Sequence, residues 1–389
     1  MGSIPVTLNT STSFDNNVAA LVLSNETDLP ALWCYCSSQD YSQEVRRVDQ
    51  KMNVTNATLI KVPFDLERWT EVAEEQYPNG LPKPYTNDPT QWIFHGHPCG
   101  SVVWDEAKKR TTLAEKRTDD TVLQVAVARL LGYRWPAELD EKMELADEML
   151  TWLSKCDDLL KLQDDDGIVC LPALRGEKAA ASRLEAMLQA AYEEDWSAKV
   201  LTNLLASVGS KSLDSWLRDK FFEQHCKLFQ HRPFIWQIWD GLKDGFSVLV
   251  NYHKLDYKGL ERLIYTYLGE WIRTQEHGVK EGVDGADSRL MAAKNLKDTL
   301  EAILKGEAIS GKSGLDIFVR WKPLHEQPMG WYPDLNDGVR LNIRPFMQAP
   351  DIGKKGAGIL RAKPNINWNK DRGTDVASAP WYHLNSCSE

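Results

Sequence analysis

The stretch Thr121 to Leu131, TVLQVAVARLL, constrains the fold more than any other, because a strongly apolar helix of this kind belongs in a core. It feeds an acidic segment. From Glu138 to Asp166 eleven acids stand against three lysines, a net of −8, and the stretch from Leu139 to Cys156 keeps Leu and Met at helical spacing. Nucleic acid would be repelled there, so a solvated face or a protein-docking surface is expected.

Around this centre the pattern predicts a helix-rich chain. Residues 17–24 and Thr58 to Phe64 read as strands, and Asp28 to about Gln50 as one or two helices. Asp65 is a good N-cap for DLERWTEVAEEQY, which Pro78 and Gly80 close, and 81–90 reads as an ordered loop. Helices are expected at about 178–192, 196–207 and 211–229. Phe234 to Trp239 and Phe246 to Tyr252, joined by DGLKDG, predict a β-hairpin. Asp256 should cap a helix running to about Thr274, a further helix should span Ala286 to Lys305, and Leu315 to Trp321 reads as a strand. The expected class is α+β, helix-rich with small hairpin or sheet elements, in two or three subdomains.

The chain of 389 residues is long enough for such cores. No apolar run approaches the ~18 residues of a spanning helix, so no membrane partner is expected. The opening MGSIPVTLNTSTSFDNN has neither a basic leader nor an apolar core, so no export signal is expected, and its MGS start lacks a second anchoring signal. The seven cysteines include no CxxC pair, which argues against a zinc ribbon or a disulfide framework and favours buried thiols in a cytoplasmic setting.

Charge is sorted along the chain. From Arg340 to Gly373 eight cations oppose two anions, a local +6 inside a chain of net −10. Basic charge interleaved with Asn and Trp suits a nucleic-acid surface, where cations hold phosphates and amides or rings meet bases. A solvated polar tail is the alternative.

Three motifs bear on chemistry. Gly306 to Ser313 fits GxxxxGK[ST], yet a charged helix precedes it and a strand follows, the reverse of the phosphate-loop order. Nucleotide binding through Gly311, Lys312 and Ser313 stays an alternative. His95-Gly96-His97 lacks further clustered ligands and reads as a turn with hydrogen-bonded histidines. His225, Cys226 and His231 lie beside Lys227 and Arg232, which favours phosphate contact or packing over a metal. No catalytic centre, no metal site and no cofactor site is expected on this chain.

The strings at 30–69 (LPALWCYCSSQDYSQEVRR onward), 87–100 (NDPTQWIFHGHPCG), 215–256 (SWLRDKFFEQHCKLFQHRPFIWQIWDG onward) and 335–346 (LNDGVRLNIRPF) carry a resemblance. The chain resembles the C-terminal, non-catalytic part of large adenine-specific DNA methyltransferases. These are the PglX-like enzymes of BREX phage-defence systems and related single-chain restriction–modification methylases. Members of that family carry a glycine-rich S-adenosylmethionine domain and an Asn/Asp-Pro-Pro-aromatic motif for the flipped adenine. Here Asn87-Asp88-Pro89 is followed by Thr90, so the second proline and the aromatic are missing.

The resemblance implies the specificity half of a methyltransferase, binding double-stranded DNA beside a catalytic subunit that brings S-adenosylmethionine. It also implies a layout: 1–100 as the end of a target-recognition-like region, 101–210 as an acidic helical connector, 211–310 as helix, hairpin and helix, and 311–389 as a basic DNA-facing region. Arg340, Arg344, Lys354, Lys355, Arg361, Lys363, Lys370 and Arg372 would mostly hold phosphates, with Lys227, His231 and Arg232 beside the hairpin. Asn342, Asn365, Asn367 and Trp368 are the candidates for base or sugar contact. A scaffold or relic without DNA affinity is the rival expectation.

Overall fold

Capping residues and buried rings decide where the helices start and stop. The computed structural model describes residues 4–8, 19–51, 54, 56–59, 61–229, 233–255 and 257–305. In chain order the helices are α1 (Leu29–Ser37), α2 (Gln39–Val48), α3 (Asn56–Leu59), α4 (Leu66–Gln76), α5 (Thr121–Leu130), α6 (Asp147–Asp157) and α7 (Ala180–Tyr192). There follow α8 (Ala198–Ser207), α9 (Leu213–Asp219), α10 (Phe221–Leu228), α11 (Tyr257–Arg262), α12 (Leu268–Glu281) and α13 (Ala286–Lys305). The strands are β1 (Val102–Asp105), β2 (Arg110–Leu113), β3 (Ile168–Cys170), β4 (Ile235–Trp239) and β5 (Ser247–Asn251). The fold is α+β, with one two-stranded and one three-stranded antiparallel sheet among the described residues.

The chain divides into two compact units. The first holds the described residues up to Asn87 together with Ser101–Glu115 and Glu141–Thr151. Its core lies between α1, α2 and α4. Ser38 caps α2 by accepting the Tyr41 N–H at 3.1 Å, and, as the sequence predicts for Asp65 alone, Asp65 caps α4 by accepting that of Arg68 at 3.1 Å. The caps aim Tyr35 at Tyr41 and Trp69, with ring centroids 5.2 Å apart in both pairs, and the Tyr35 hydroxyl donates to the Pro63 carbonyl at 2.7 Å. In the same unit β1 and β2 form a hairpin pairing Val102 with Leu113 and Asp105 with Arg110.

The second unit holds Asp88–Gly100, Lys116–Asp140 and the described residues from Trp152 onward. As expected, α5 is its centre: Val122 through Leu130 are all buried, with α7 and α10 packed against the helix. Each fully buried Leu or Val of this kind contributes ~1.5–3 kcal/mol. The predicted hairpin is β4–β5, pairing Ile235 with Asn251 and Trp239 with Ser247. Asp240 shapes its turn by accepting the N–H of Leu242 at 3.0 Å and of Phe246 at 2.8 Å. On its other edge β5 pairs with β3, and Asn251 donates from Nδ2 to the Leu131 carbonyl at 3.0 Å, tying the sheet to the end of α5.

Several expectations are corrected. Residues 19–23 form no strand, and Val22 is 91% exposed. Thr58 to Phe64 is not a strand either, because the N–H groups of Lys61 and Val62 turn back to the carbonyls of Thr58 and Leu59 at 3.1 and 3.2 Å. The helix expected from Leu139 begins only at Asp147, and the Ala146 N–H goes instead to the Pro84 carbonyl at 2.9 Å. The single helix expected at 211–229 breaks at Lys220 into α9 and α10. On one straight helix Trp216 and Phe221 would lie about 140° apart. The break lets both rings bury and meet edge to face at 5.3 Å. The helix expected to end near Thr274 runs to Glu281 through a π-turn at Leu263–Tyr267. The proposed cap Asp256 and the proposed strand 315–321 lie outside the described residues, as does the GxxxxGK[ST] stretch.

Candidate nucleic-acid interface

Of the residues the sequence nominates for DNA contact, the structure describes Lys227. It stands in the last turn of α10 with a side chain 59% exposed, and it pairs with Glu223 one turn earlier. The opposite face of α10 buries Phe221, Phe222, His225 and Cys226, so packing fixes the helix and leaves the ammonium facing solvent. His231, Arg232, Arg340, Asn342, Arg344, Lys354, Lys355, Arg361, Lys363, Asn365, Asn367, Trp368, Lys370 and Arg372 lie outside the described residues.

His225 is core rather than ligand. Its Nε2 accepts the Ile235 N–H at 3.3 Å, which leaves the proton on Nδ1, 3.1 Å from Gln124 Oε1. Phe221, Phe229 and Phe234 surround the ring with centroids at 5.3, 4.8 and 4.8 Å. Burial pushes its pKa down to about 3, so the imidazole stays neutral. Because the same ring touches α10 and β4, it pins the two elements that flank 230–232.

The His95-Gly96-His97 segment is a turn with hydrogen-bonded histidines, as expected. His95 Nδ1 accepts the His97 N–H at 3.0 Å, and Trp152 covers His97 with ring centroids 4.6 Å apart. Gly96 has φ +76, and a Cβ there would stand 2.5 Å from Glu138 Oε1, so only glycine passes at this point. Burial, aided by the Arg129 charge, lowers His97 to about 3, while burial lowers His95 as well. The Cys99 and Cys156 thiols are each pushed up to about 12 by burial, and they donate to the carbonyls of Ala191 at 3.3 Å and of His95 at 3.2 Å. Protonated thiols and stacked neutral imidazoles act as packing here, not as nucleophiles. Among the described residues no three His, Cys, Asp or Glu side chains converge as metal ligands.

Asn87-Asp88-Pro89 does not fit a base-holding motif. Asn87 Nδ2 donates to the Val102 carbonyl at 3.0 Å and its Oδ1 accepts the Val102 N–H at 2.9 Å, so the amide is spent on β1. The Pro89 carbonyl accepts the Trp135 indole N–H at 2.8 Å. Two features lie outside the expectations drawn from the sequence. Trp92 follows this turn with its side chain outward, 66% exposed. The π-turn brings Arg262 Nη1 and the Tyr267 hydroxyl onto Asp166 Oδ2, at 2.8 and 2.9 Å. An exposed aromatic can be suspected from NDPTQW, but a π-turn leaves no mark on hydrophobic spacing. No helix among the described residues is long and apolar enough to cross a membrane. No protein-family model matches the chain, and no curated protein matches it.

Proposed function

We propose that the chain is the DNA-binding specificity portion of an adenine-specific DNA methyltransferase of a restriction–modification or phage-defence system. Catalysis and S-adenosylmethionine would reside on another polypeptide or domain. The observation that carries this reading is the sorting of charge: eight cations against two anions from Arg340 to Gly373, in a chain of net −10. The cations neutralise phosphates and supply affinity, while Asn342, Asn365, Asn367 and Trp368 supply base or sugar contacts. Two further facts are in keeping with it. Lys227 is exposed beside the hairpin, and His95, His97, Cys99, Cys156 and His225 are committed to packing.

The test is methyl transfer from labelled S-adenosylmethionine to plasmid or phage DNA. The full chain is assayed alone and together with the protein encoded immediately upstream. Label entering DNA only in the mixture supports a specificity subunit. Label entering DNA with the chain alone would place the catalytic centre on this polypeptide. If the upstream protein methylates the same sites at the same rate with or without the chain, the specificity role is refuted.

A further inference from the structure

We propose that the Asn79–Gly80 peptide is a site of spontaneous deamidation, and that the reaction unlocks the turn between β1 and β2. All the residues involved belong to the first unit. Asn79 and Gly80 are exposed just beyond α4, Gly80 has φ +83, and the space where a Cβ would stand is open. The Asn-Gly peptide therefore lacks the side chain that would hinder cyclisation at its C-terminal residue.

The Asn79 amide has a defined task. Its Nδ2 donates to the carbonyls of Lys108 and Lys109, at 3.3 and 3.2 Å. Lys109 sits at φ 48, a left-handed conformation that is costly for a residue with a Cβ. The amide thus clamps the strained tip of the hairpin to the end of α4. On the other side of the peptide, the Gly80 N–H donates to the Tyr77 carbonyl at 2.9 Å. That bond must open before the nitrogen is free, so the reaction rate scales with the fraction of time this turn is open.

The chemistry needs only water. Once deprotonated, the Gly80 backbone nitrogen attacks Asn79 Cγ; the new N–Cγ bond forms, the Cγ–Nδ2 bond breaks, and ammonia leaves with the proton it requires. Water then opens the cyclic imide at one of its two carbonyls, leaving aspartate or isoaspartate, with no change of oxidation state. The carboxylate has acceptors only. Two carbonyl oxygens that were hydrogen-bonded now face negative charge, and the clamp becomes repulsive. The hairpin tip, where Lys108 and Arg110 are exposed and Lys109 is half-buried, then opens to trypsin.

The experiment ages the full folded chain in mildly alkaline buffer. It follows the Asn79 peptide by mass spectrometry and limited tryptic cleavage at Lys108 to Arg110, with N79D as the product mimic. The expected result is conversion of Asn79 in the folded chain. N79D, its helix content unchanged by circular dichroism, should be cut several-fold faster than fresh wild type, and aged wild type should approach N79D. Asn79 remaining an amide in the folded chain, over a period in which the urea-unfolded chain converts, would overturn the modification. Equal cleavage of N79D and fresh wild type would overturn the clamp.

Discussion

Arg129 and Glu138 meet almost wholly out of water: Nη1 lies 2.5 Å from Oε2, and the two side chains are only 2% and 3% exposed. The pair is fully subscribed. Glu138 Oε1 also accepts the Trp135 N–H at 2.8 Å, and Arg129 Nη2 donates to the Cys156 carbonyl at 3.1 Å. It fastens α5 to the loop after it and to the end of α6, against which the His95–His97 turn is built.

Removing one partner should therefore cost far more than a surface ion pair. E138Q leaves the buried Arg129 charge uncompensated, and a loss of about 3–5 kcal/mol is expected; R129M should cost less, because Arg134 Nε still lies 3.5 Å from Glu138 Oε2. Urea unfolding followed by tryptophan fluorescence checks it. The bulkier G96A should destabilise as well, because its Cβ would run into Glu138 Oε1 at 2.5 Å.

The buried histidines make a prediction about acid. His97 and His225 both titrate at about 3 in the folded chain, against 6.5 when free. Their folded values are depressed, so the unfolded chain binds the extra protons between those limits. Stability is fully present above 6.5 and is lost as pH falls toward 3, by up to about 1.4 kcal/mol per pH unit for each histidine. Unfolding midpoints measured between neutral pH and pH 5 should fall with acid, and less steeply in H225Q.

The π-turn makes another. Arg262 and Tyr267, five residues apart, would diverge by about 140° on an α-helix, whereas the wider turn brings both onto Asp166. D166N removes a charged acceptor and should cost about 1.5–3 kcal/mol. Deleting the exposed Thr266 should restore a continuous α-helix while losing the Tyr267 bond. Unfolding curves for the two variants, with hydrogen exchange across 257–281, measure both effects.

The elements that sequence made legible carry local signals. Asp65 is an N-cap by side-chain chemistry alone, Asp240 organises the DGLKDG turn, and the apolarity of α5 demands a core. What escaped depends on partners distant in the chain. The three-residue β3 exists because β5 offers an edge, and it follows an acidic loop in which Asp164 Oδ1 accepts the N–H groups of Asp166, Gly167 and Ile168 at 3.1, 2.7 and 3.1 Å. β1 and β2 are too short to show an alternation. The break at Lys220 follows from where Trp216 and Phe221 can bury, which no spacing rule contains. At the candidate interface, charge sorting could be read directly from residue types, and for Lys227 its outward position is now seen. The roles of the residues from Arg340 onward rest on composition and resemblance.

DNA binding by the sorted cations is tested most directly by its salt dependence. Equilibrium binding of the full chain to labelled double-stranded DNA should be measured across a salt titration, for wild type, R340A/R344A, K354A/K355A and K227A. Affinity should fall steeply with salt, with a slope of about −0.9 per phosphate neutralised, and each phosphate contact removed should lower that slope by about 1. An affinity that is absent at low salt, or flat with salt and unchanged in all three variants, would contradict it.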